Sequence, residues 1–197
     1  MISMITSTDN MRVIGGTHRG RRLRTVSGLT VRPTSDRLRE TLFNVLAPRI
    51  IGSRFLDICA GSGAVGIEAL SRGSRTATFI ERSREACAVI EANLNSLGIG
   101  KEAIIMNRDA LMALKRLEQG STQFDLAFFD PPYASEIYGQ VMTLLGSRIL
   151  LSPAGLVIVE HRAKSPFESA YGELRLSREL KQGESALAFY ETRVDEI

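Results

Sequence analysis

Apolar and polar residues alternate along the chain with two different periods, and this alternation predicts where strands and helices lie. From Arg54 onwards, short apolar runs typical of buried strands are each followed by a segment in which apolar residues recur at helical spacing. A strand that returns after every helix is typical of a parallel sheet with helices on both faces. The strands predicted in this region span residues 55–58, 76–80, 103–106, 124–129 and 155–159.

The helices between these strands carry recognisable start and stop signals. Ser83 is expected to cap a helix whose apolar face includes Ile90 and Leu94, and Gly98 is expected to end it. The other helices of this region are predicted over residues 67–70, 110–117 and 137–145.

Two hairpins are predicted outside the alternating region. After Glu160, strands at 173–180 and 186–191 flank a turn and complete the sheet with antiparallel strands. At the other end, strands at 11–14 and 21–26 flank a glycine-containing turn. The chain is therefore expected to divide into a disordered leader, a basic N-terminal hairpin arm and a main domain, with the bounds 1–10, 11–34 and 35–197.

A helix is predicted to join the hairpin arm to the main domain. Thr34 or Ser35 is expected at its N-cap, and Asp36 in its first turn is favourable to the helix dipole. Its apolar face is formed by Leu38, Leu42, Val45, Leu46 and Ile50. The residues expected to face solvent or a groove are Arg37, Glu40 and Asn44.

The length and composition are those of one soluble globular domain. A chain of 197 residues is long enough to bury a substantial core, and no uncharged apolar run reaches the roughly 18 residues of a membrane span. The first residues lack the pattern of a signal peptide, so a cytoplasmic location without a membrane partner is expected. Cys59 and Cys87 are the only cysteines, which indicates reduced thiols rather than a disulfide framework.

The charge of the chain is unevenly distributed. The formal net charge is +3, yet residues 11–40 hold eight arginines against two acidic residues. This basic segment indicates a polyanionic partner, because the guanidinium group binds phosphate through two parallel hydrogen bonds. The alternative is a solvated hairpin face. The residues predicted to contact the polyanion are Arg12, His18, Arg19, Arg21, Arg22, Arg32, Arg37 and Arg39.

A glycine-rich turn after the first strand of the main domain predicts a cofactor site. Gly61, Gly63 and Gly66 satisfy the pattern G-x-G-x-x-G, and Glu81 follows about 20 residues on, as in enzymes that bind NAD. Asp57 distinguishes a cofactor that contains a pyrophosphate, such as NAD, from one that does not, because a carboxylate beside the turn would repel a pyrophosphate. S-adenosylmethionine (SAM) has no phosphate and carries an ammonium and a sulfonium group, so the sequence favours SAM. The alternative role for Asp57 is a cap on the turn.

Acidic residues follow four successive predicted strands, at the edge where ligands bind in doubly wound sheets. Glu81 could accept hydrogen bonds from both ribose hydroxyls of SAM, and Asp109 could accept from its adenine amino group. Either acid alone could instead cap a helix or lie in a solvated loop. The residues predicted to bind SAM are Asp57, Ala60, Gly61, Ser62, Gly63, Glu81, Arg82, Asp109 and Ala110, and no metal site is predicted.

The tetrapeptide Asp130-Pro131-Pro132-Tyr133 is the most specific motif of the chain, and all four residues are predicted to be catalytic. Two prolines hold the strand end rigidly. Acceptors on Asp130 and Pro131 could polarise and align the exocyclic amine of a base, and Tyr133 offers a face on which a flipped base stacks. The loop has no cysteine to attack a pyrimidine ring carbon, which favours transfer to nitrogen. The alternative is a rigid β-turn with an exposed tyrosine.

Together these motifs resemble one family, the bacterial 16S rRNA guanine-N2 methyltransferases, which are RsmD-like class I SAM-dependent methyltransferases. The likeness extends from Met11 to about Thr192. The glycine-rich turn and the Asp-Pro-Pro-Tyr loop are shared with many amino-methyltransferases, whereas the arginine-rich opening and the Arg-Pro-Thr segment narrow the resemblance to this family. The residues that carry it are 12–16, 19–21, 32–37, 39–40, 57–63, 66 and 130–133.

The resemblance implies an α/β, Rossmann-like class I methyltransferase fold. Its seven-stranded, mostly parallel sheet would have the order 3-2-1-4-5-7-6, with helices on both faces and a small N-terminal β-hairpin. It also implies methyl transfer from SAM to N2 of a guanine in 16S rRNA, guanine 966 in the family, within the small ribosomal subunit or its assembly intermediate. The arginine-rich arm would then bind RNA, and the compact chain is expected to be a monomer.

Three other functions remain open on the sequence. An adenine-N6 DNA methyltransferase could use the same loop, although such enzymes usually need a target-recognition domain for which this chain has little room. Protein-glutamine methyltransferases resemble this core but typically carry Asn-Pro-Pro-Tyr, where Asp130 stands here. The third alternative is a non-catalytic RNA-binding protein on a degenerate methyltransferase scaffold.

Overall fold

Strands and helices alternate through most of the chain that the computed structural model describes, which comprises residues 11–26, 35–131, 137–147, 149–164 and 168–192. The strands are β1 (Arg54–Ile58), β2 (Thr76–Glu81), β3 (Ala103–Asn107), β4 (Phe124–Phe129), β5 (Leu151–Arg162), β6 (Ala170–Tyr171), β7 (Leu174–Gln182) and β8 (Ser185–Thr192). The helices are α1 (Asp36–Leu46), α2 (Ala64–Ser71), α3 (Arg84–Leu97), α4 (Ala110–Glu118) and α5 (Ile137–Leu145).

These strands form one sheet in the order β3-β2-β1-β4-β5-β8-β7-β6. The pairs among β1 to β5 are parallel, whereas β8 runs antiparallel to β5 and β7, and β6 runs antiparallel to β7. The two C-terminal strands of the prediction correspond to β7 and β8. The Rossmann-like fold class and the predicted strand order are therefore confirmed.

The predicted number of strands, seven, is wrong, because the described sheet has an eighth strand at its edge. β6 contains only two residues, which is too short for any alternation of apolar and polar positions to show. A tight turn at Gly172, with φ of 56°, joins it to β7. A side chain at Gly172 would lie 2.6 Å from the carbonyl oxygen of Gly146, so this turn requires glycine.

The predicted start of α1 and both predicted ends of α3 are confirmed by their caps, whereas α1 ends at Leu46, before Ile50 of its predicted apolar face. The Ser35 hydroxyl accepts a hydrogen bond from the Leu38 N–H at 3.2 Å, and Ser83 caps α3 in the same way. Gly98 ends α3 in the left-handed conformation, with φ of 71°. Each cap satisfies an amide that the helix itself leaves without a partner. The other predicted N-cap of α1, Thr34, lies outside the described residues.

Helices cover both faces of the sheet, so neighbouring residues of one strand belong to different apolar layers. On one face α1, α2 and α3 pack against strand residues such as Phe55 and Phe128, and on the other α4 and α5 pack against Leu56 and Phe129. The central strands therefore read as continuous apolar runs. Within the described ranges, every helix is too short or too polar to cross a membrane.

The N-terminal hairpin is shorter than predicted, and one of its faces belongs to the core. Arg12 and Arg22 form an isolated antiparallel bridge, with backbone hydrogen bonds on both sides of it. The three apolar residues of the paired segments, Met11, Val13 and Leu23, are buried in the same layer as α1 to α3. The hairpin is thus packed on the body of the protein along its apolar face.

A fully buried carboxylate holds this hairpin against α2. Glu68 accepts hydrogen bonds from the Ile14 N–H through Oε2 and from the Gly15 N–H through Oε1, both at 2.7 Å. Oε1 also accepts from Arg72 Nε, one helical turn further along α2, at 2.6 Å. The sequence gives no sign that Glu68 anchors the hairpin, because its backbone partners lie 53 and 54 residues away along the chain.

Arg39 is buried beside this network, so its predicted contact with RNA is wrong. The side chain has no exposed surface, and Nη2 donates to the Arg12 carbonyl oxygen at 2.7 Å and to Asp36 Oδ1 at 2.8 Å. Burial lowers the pKa of the guanidinium, while the Asp36 and Glu68 carboxylates act in the opposite direction. The hairpin covers this side of α1. The predicted outward side of α1, Arg37, Glu40 and Asn44, is confirmed as exposed.

We predict that Glu68→Gln lowers the free energy of unfolding by about 3 to 5 kcal/mol, because it removes one partner of a buried ion pair. It also turns an amide NH2 group towards a backbone donor. Urea unfolding of the two proteins measures the difference. The matched control Glu91→Gln, at an exposed position of α3, should change this free energy by less than about 0.5 kcal/mol. A loss below about 1 kcal/mol for Glu68→Gln would contradict its anchoring role.

Candidate active site

The turn between β1 and α2 has an unusual backbone conformation. Cys59, Gly61 and Gly63 have φ values of 65°, 54° and 77°, in the left-handed region. The N–H groups of Cys59 and Ala60 donate to the Ile80 carbonyl oxygen of β2 at 2.9 and 3.0 Å, which anchors the start of the turn. A left-handed residue other than glycine costs about 1 to 3 kcal/mol and is characteristic of functional loops. The strain at Cys59 therefore marks this turn as a candidate site.

Asp57 lies beneath the turn and fixes its junction with α2. Its Oδ2 accepts a hydrogen bond from the Gly66 N–H at 2.8 Å. A side chain at Gly66 would come within 2.3 Å of the Phe79 ring, so glycine is required for this close approach. Burial raises the pKa of Asp57 to about 7, the Gly66 hydrogen bond opposes this, and the Glu81 carboxylate adds to it. The capping alternative thus describes one role of Asp57, and contact with a cofactor stays a prediction.

Glu81, at the end of β2, holds the same turn from the other side. Its Oε2 accepts from the Gly61 N–H at 2.9 Å, and its Oε1 accepts from the Ser83 N–H at 2.8 Å. Each carboxylate oxygen has two lone pairs, so these bonds leave acceptor capacity for a ribose hydroxyl. Asn107, which the sequence analysis missed, donates from Nδ2 to the carbonyl oxygens of Glu81 and Arg82 and so joins the ends of β2 and β3.

Asp109 caps α4, as one of its two predicted alternatives states. Its Oδ1 accepts from the Leu111 N–H at 2.9 Å and from the Met112 N–H at 3.4 Å. Both bonds use the same oxygen, so a role for Oδ2 in binding adenine stays a prediction. Among its neighbours, Ala110 is buried at the start of α4 and Arg82 is exposed after β2.

Asp130 follows β4 on the same face of the sheet as Asp57. In the parallel register Asp57 lies beside Phe128, and strand residues two positions apart point to the same face. Burial raises the pKa of Asp130 well above its usual range, and the nearby carboxylates of Glu160 and Asp57 raise it further. Pro131 is buried beside it. The two remaining predicted catalytic residues, Pro132 and Tyr133, lie outside the described residues.

Glu160 is a third buried acid on this face that the sequence analysis did not assign to the site. Its neighbour Val159 pairs with Phe129, which places Glu160 in β5 beside Asp130. Its position near a strand end was a signal that could have identified it. A cationic ligand would favour the ionised forms of these three carboxyl groups, so this edge of the sheet suits a positively charged ligand.

Burial and neighbouring acids determine the protonation state of the Cys59 thiol. Burial raises its pKa to about 12, and the Glu81, Asp130 and Asp57 carboxylates contribute. At neutral pH the thiol is protonated, and a protonated thiol is a poor nucleophile. The chemistry of this site therefore depends on its acids and backbone rather than on a cysteine.

The predicted polyanion contacts lie mainly on the outer face of the hairpin. Arg12, Arg19, Arg21, Arg22 and Arg37 are exposed and His18 is partly buried, whereas Arg32 lies outside the described residues. Arg21 donates from Nη2 to the Ser96 carbonyl oxygen of α3 at 2.7 Å. The bridge between Arg12 and Arg22 places two exposed arginines directly opposite each other, and Arg12 Nε lies 3.8 Å from Asp36 Oδ2.

We predict that Asp57 makes the protein less stable as the pH rises from about 4 to about 7. An acid whose pKa is higher in the folded than in the unfolded state binds more protons when folded, so raising the pH favours unfolding. Asp57→Asn cannot ionise. The free energy of unfolding of the unaltered protein, minus that of the variant, should therefore fall over this interval by up to about 4 kcal/mol.

The control for this experiment is Asp125→Asn, whose pH dependence should have the opposite sign. Hydrogen bonds from Arg54 hold the pKa of Asp125 down to about 2. Its contribution to stability is thus present above about pH 4 and is lost as the pH falls towards 2. Urea unfolding at a series of pH values measures both variants. An Asp57→Asn difference that is constant between pH 4 and 7 would contradict the raised pKa.

The chain is similar over nearly its whole length to proteins of several bacteria. A family described as Conserved hypothetical protein 95 matches residues 11–191. Ribosomal RNA small subunit methyltransferase D of Escherichia coli (strain K12) is 35% identical over 186 residues, which are 94% of this chain and 92% of that protein. The Bacillus subtilis (strain 168) protein YlbH is 36% identical over 183 residues, 93% of this chain and 100% of that protein.

The fold is shared with solved structures as well. The structure of yhhF from Escherichia coli superimposes with a TM-score of 0.83 at 34% sequence identity, covering 94% of this chain and 99% of that one. The resemblance derived from the sequence motifs is confirmed, and this chain belongs to the Conserved hypothetical protein 95 family, which is the RsmD family.

Proposed function

We propose that this protein transfers a methyl group from SAM to N2 of a guanine in the 16S rRNA of the small ribosomal subunit, with guanine 966 as the target. The observation that carries this proposal is the position of Asp130 and Pro131 directly after β4, beside the glycine-rich turn. The Escherichia coli relative, which is named a ribosomal RNA small subunit methyltransferase, supports the class of substrate.

The residues around the turn suit SAM. The left-handed glycines leave backbone without side chains at the cofactor edge, and the acids near them favour a positively charged group. Ala60, Ser62 and the glycines would hold the methionine part. Glu81 would accept from the ribose hydroxyls, with Arg82 next to it, and Asp109 and Ala110 would border the adenine. When bound, SAM supplies a methyl group activated by its positively charged sulfur.

Asp130 and Pro131 would prepare the guanine amine for transfer. The lone pair of an exocyclic amine is delocalised into the ring, so the nitrogen is a weak nucleophile. The Asp130 carboxylate and the Pro131 carbonyl would accept its N–H bonds, which returns electron density to nitrogen and fixes its direction. Because the pKa of Asp130 is raised, the carboxylate is also able to hold the proton that the methylated amine loses. Pro132 would stiffen the loop and Tyr133 would stack on the base.

The outer face of the hairpin would hold the RNA. Arg12, Arg22 and Arg24 point away from the apolar face, and Arg19 is exposed in the turn. Arg37 extends the same charge from α1. Guanidinium groups in such a row suit successive phosphates of a nucleic acid strand. The protein would thus grip the RNA backbone beside the site that receives the base.

The proposal is tested with isotopically labelled SAM and small ribosomal subunits that lack their guanine methylation. After incubation the RNA is digested, and labelled nucleosides are identified by mass spectrometry. We expect labelled N2-methylguanosine in the fragment that contains guanine 966. Label in added DNA or protein, and none in RNA, would contradict the proposed substrate, whereas the assignment of SAM as the cofactor would stand.

The same assay tests the role of Asp130. We predict that Asp130→Ala lowers the rate of transfer by at least about 100-fold, because it removes an acceptor aimed at the amine. Affinity for S-adenosylhomocysteine, measured by calorimetry, should stay within about tenfold. The control Asp125→Asn, at the far end of β4, should retain transfer. An equal loss of affinity and rate in Asp130→Ala would contradict a role in the chemical step.

The arginines of the hairpin can be tested by the salt dependence of RNA binding. Replacing Arg12, Arg19 and Arg22 with alanine should make the plot of log affinity against log salt shallower by about 2, at about 0.7 per phosphate contact. The matched control replaces three exposed cations elsewhere, Lys115, Arg116 and Arg178. Fluorescence anisotropy with labelled single-stranded RNA measures the slopes. Equal slopes for both triple variants would contradict binding by the hairpin.

A further inference from the structure

A single buried side chain joins the hairpin to the glycine-rich turn. Asn93 of α3 is almost completely inaccessible to solvent. Its Oδ1 accepts from the Arg24 N–H at 2.7 Å, and its Nδ2 donates to the Arg24 carbonyl oxygen at 3.0 Å. Nδ2 also donates to the Ser62 carbonyl oxygen at 3.1 Å. One amide group thus pairs with both backbone groups of an arginine in the hairpin and with the backbone between two glycines of the turn.

Other contacts link the hairpin to the glycine-rich turn and to α2, the helix that follows the turn. The Ser62 hydroxyl donates to the sulfur of Met11, the first described residue of the hairpin, at 3.4 Å. At the far end of α2, Ser71 accepts from the Thr17 N–H through its carbonyl oxygen and from the His18 N–H through its hydroxyl. α2 therefore has the cofactor turn at its N-terminus and the turn of the hairpin at its C-terminus.

The backbone between the two glycines needs such support. Gly61 and Gly63 have both left-handed φ values and no side chains, so this segment loses much conformational entropy when it becomes ordered. The Asn93 amide supplies a hydrogen bond to Ser62 only while it is oriented, and its pairing with Arg24 provides that orientation. Order in the hairpin and order in the cofactor turn are thus connected through one side chain.

We infer that Asn93 is a positioning residue that couples the binding of RNA on the hairpin to the binding of SAM at the turn. The Arg24 backbone already pairs with the Asn93 amide, and RNA held by the arginines would restrict its motion further; this restriction passes through the Asn93 amide to Ser62. Part of the conformational entropy of the turn is then already lost when the cofactor binds. The entropic cost of cofactor binding is therefore smaller, and each ligand strengthens the binding of the other. The inference rests on the proposed function, since it requires both ligands.

Binding of two unreactive probes tests this coupling. The affinity for fluorescein-labelled single-stranded RNA is measured by anisotropy with and without saturating S-adenosylhomocysteine. In the unaltered protein we expect S-adenosylhomocysteine to strengthen RNA binding about fivefold or more. In Asn93→Ala the coupling factor should fall to nearly one, whether or not the affinity of each probe alone changes. The matched control Asn95→Ala, exposed in the same helix, should keep the coupling.

Two further measurements keep the test decisive if Asn93→Ala is poorly folded. Asn93→Asp retains the acceptor for the Arg24 N–H and loses both donors, so it should also lose the coupling. In the unaltered protein, S-adenosylhomocysteine should slow amide hydrogen exchange in the peptide that contains Arg24. Unchanged exchange there, or a coupling factor that Asn93→Ala leaves intact, would overturn the inference.

The outcomes also separate this inference from the proposed function. If the unaltered protein binds RNA and S-adenosylhomocysteine independently, the coupling is refuted and the proposed function stands. If it binds no RNA in either condition, RNA binding by the hairpin and the coupling are refuted, whereas methyl transfer to small ribosomal subunits is decided separately by the labelled-SAM assay.

Discussion

The Glu68 carboxylate accepts three hydrogen bonds in a site closed to water, and the position of the hairpin depends on it. A buried charge without such partners would cost several kcal/mol, so the two hairpin amides and Arg72 must be in place together. The partners include backbone from a segment distant in the chain. The hairpin and the helix that starts at the glycine-rich turn are consequently built as one unit, with a basic outer face and an apolar inner face.

At the carboxyl edge of the sheet, in contrast, several buried acids lie close together. Asp57, Asp130 and Glu160 lie near one another on one face, and burial raises the pKa values of the two aspartates. The Glu81 carboxylate adds to the rise at Asp57, and the Glu160 and Asp57 carboxylates add to the rise at Asp130. Such an arrangement lowers stability near neutral pH, since the unfolded chain ionises its acids more easily. A core selected for stability alone would hold apolar residues here. The concentration of acids is what the proposed binding of a cationic cofactor and an amine would require.

The acids beside the glycine-rich turn have structural roles that leave lone pairs for the proposed contacts with the cofactor. Glu81 binds the turn through one oxygen and the start of α3 through the other, and Asp109 caps α4. On the sequence alone, a helix cap and a cofactor contact are alternative roles for Glu81 and Asp109. The geometry makes them compatible, because a carboxylate has more lone pairs than either task uses. Backbone amides thus hold these side chains in position before any ligand arrives.

The sequence by itself determined the order of strands and helices, the turn, and the acid at each strand end, because these features depend on local periodicity, capping and glycine. It also indicated the fold family through motifs such as the one at Asp130. Only the tertiary structure decided that Arg39 is buried, that β6 adds an edge strand, and that the polar side chains of Glu68, Glu160 and Asn93 are buried. Their roles come from partners far along the chain, and the pattern around a residue carries no information about the segment that will fold against it.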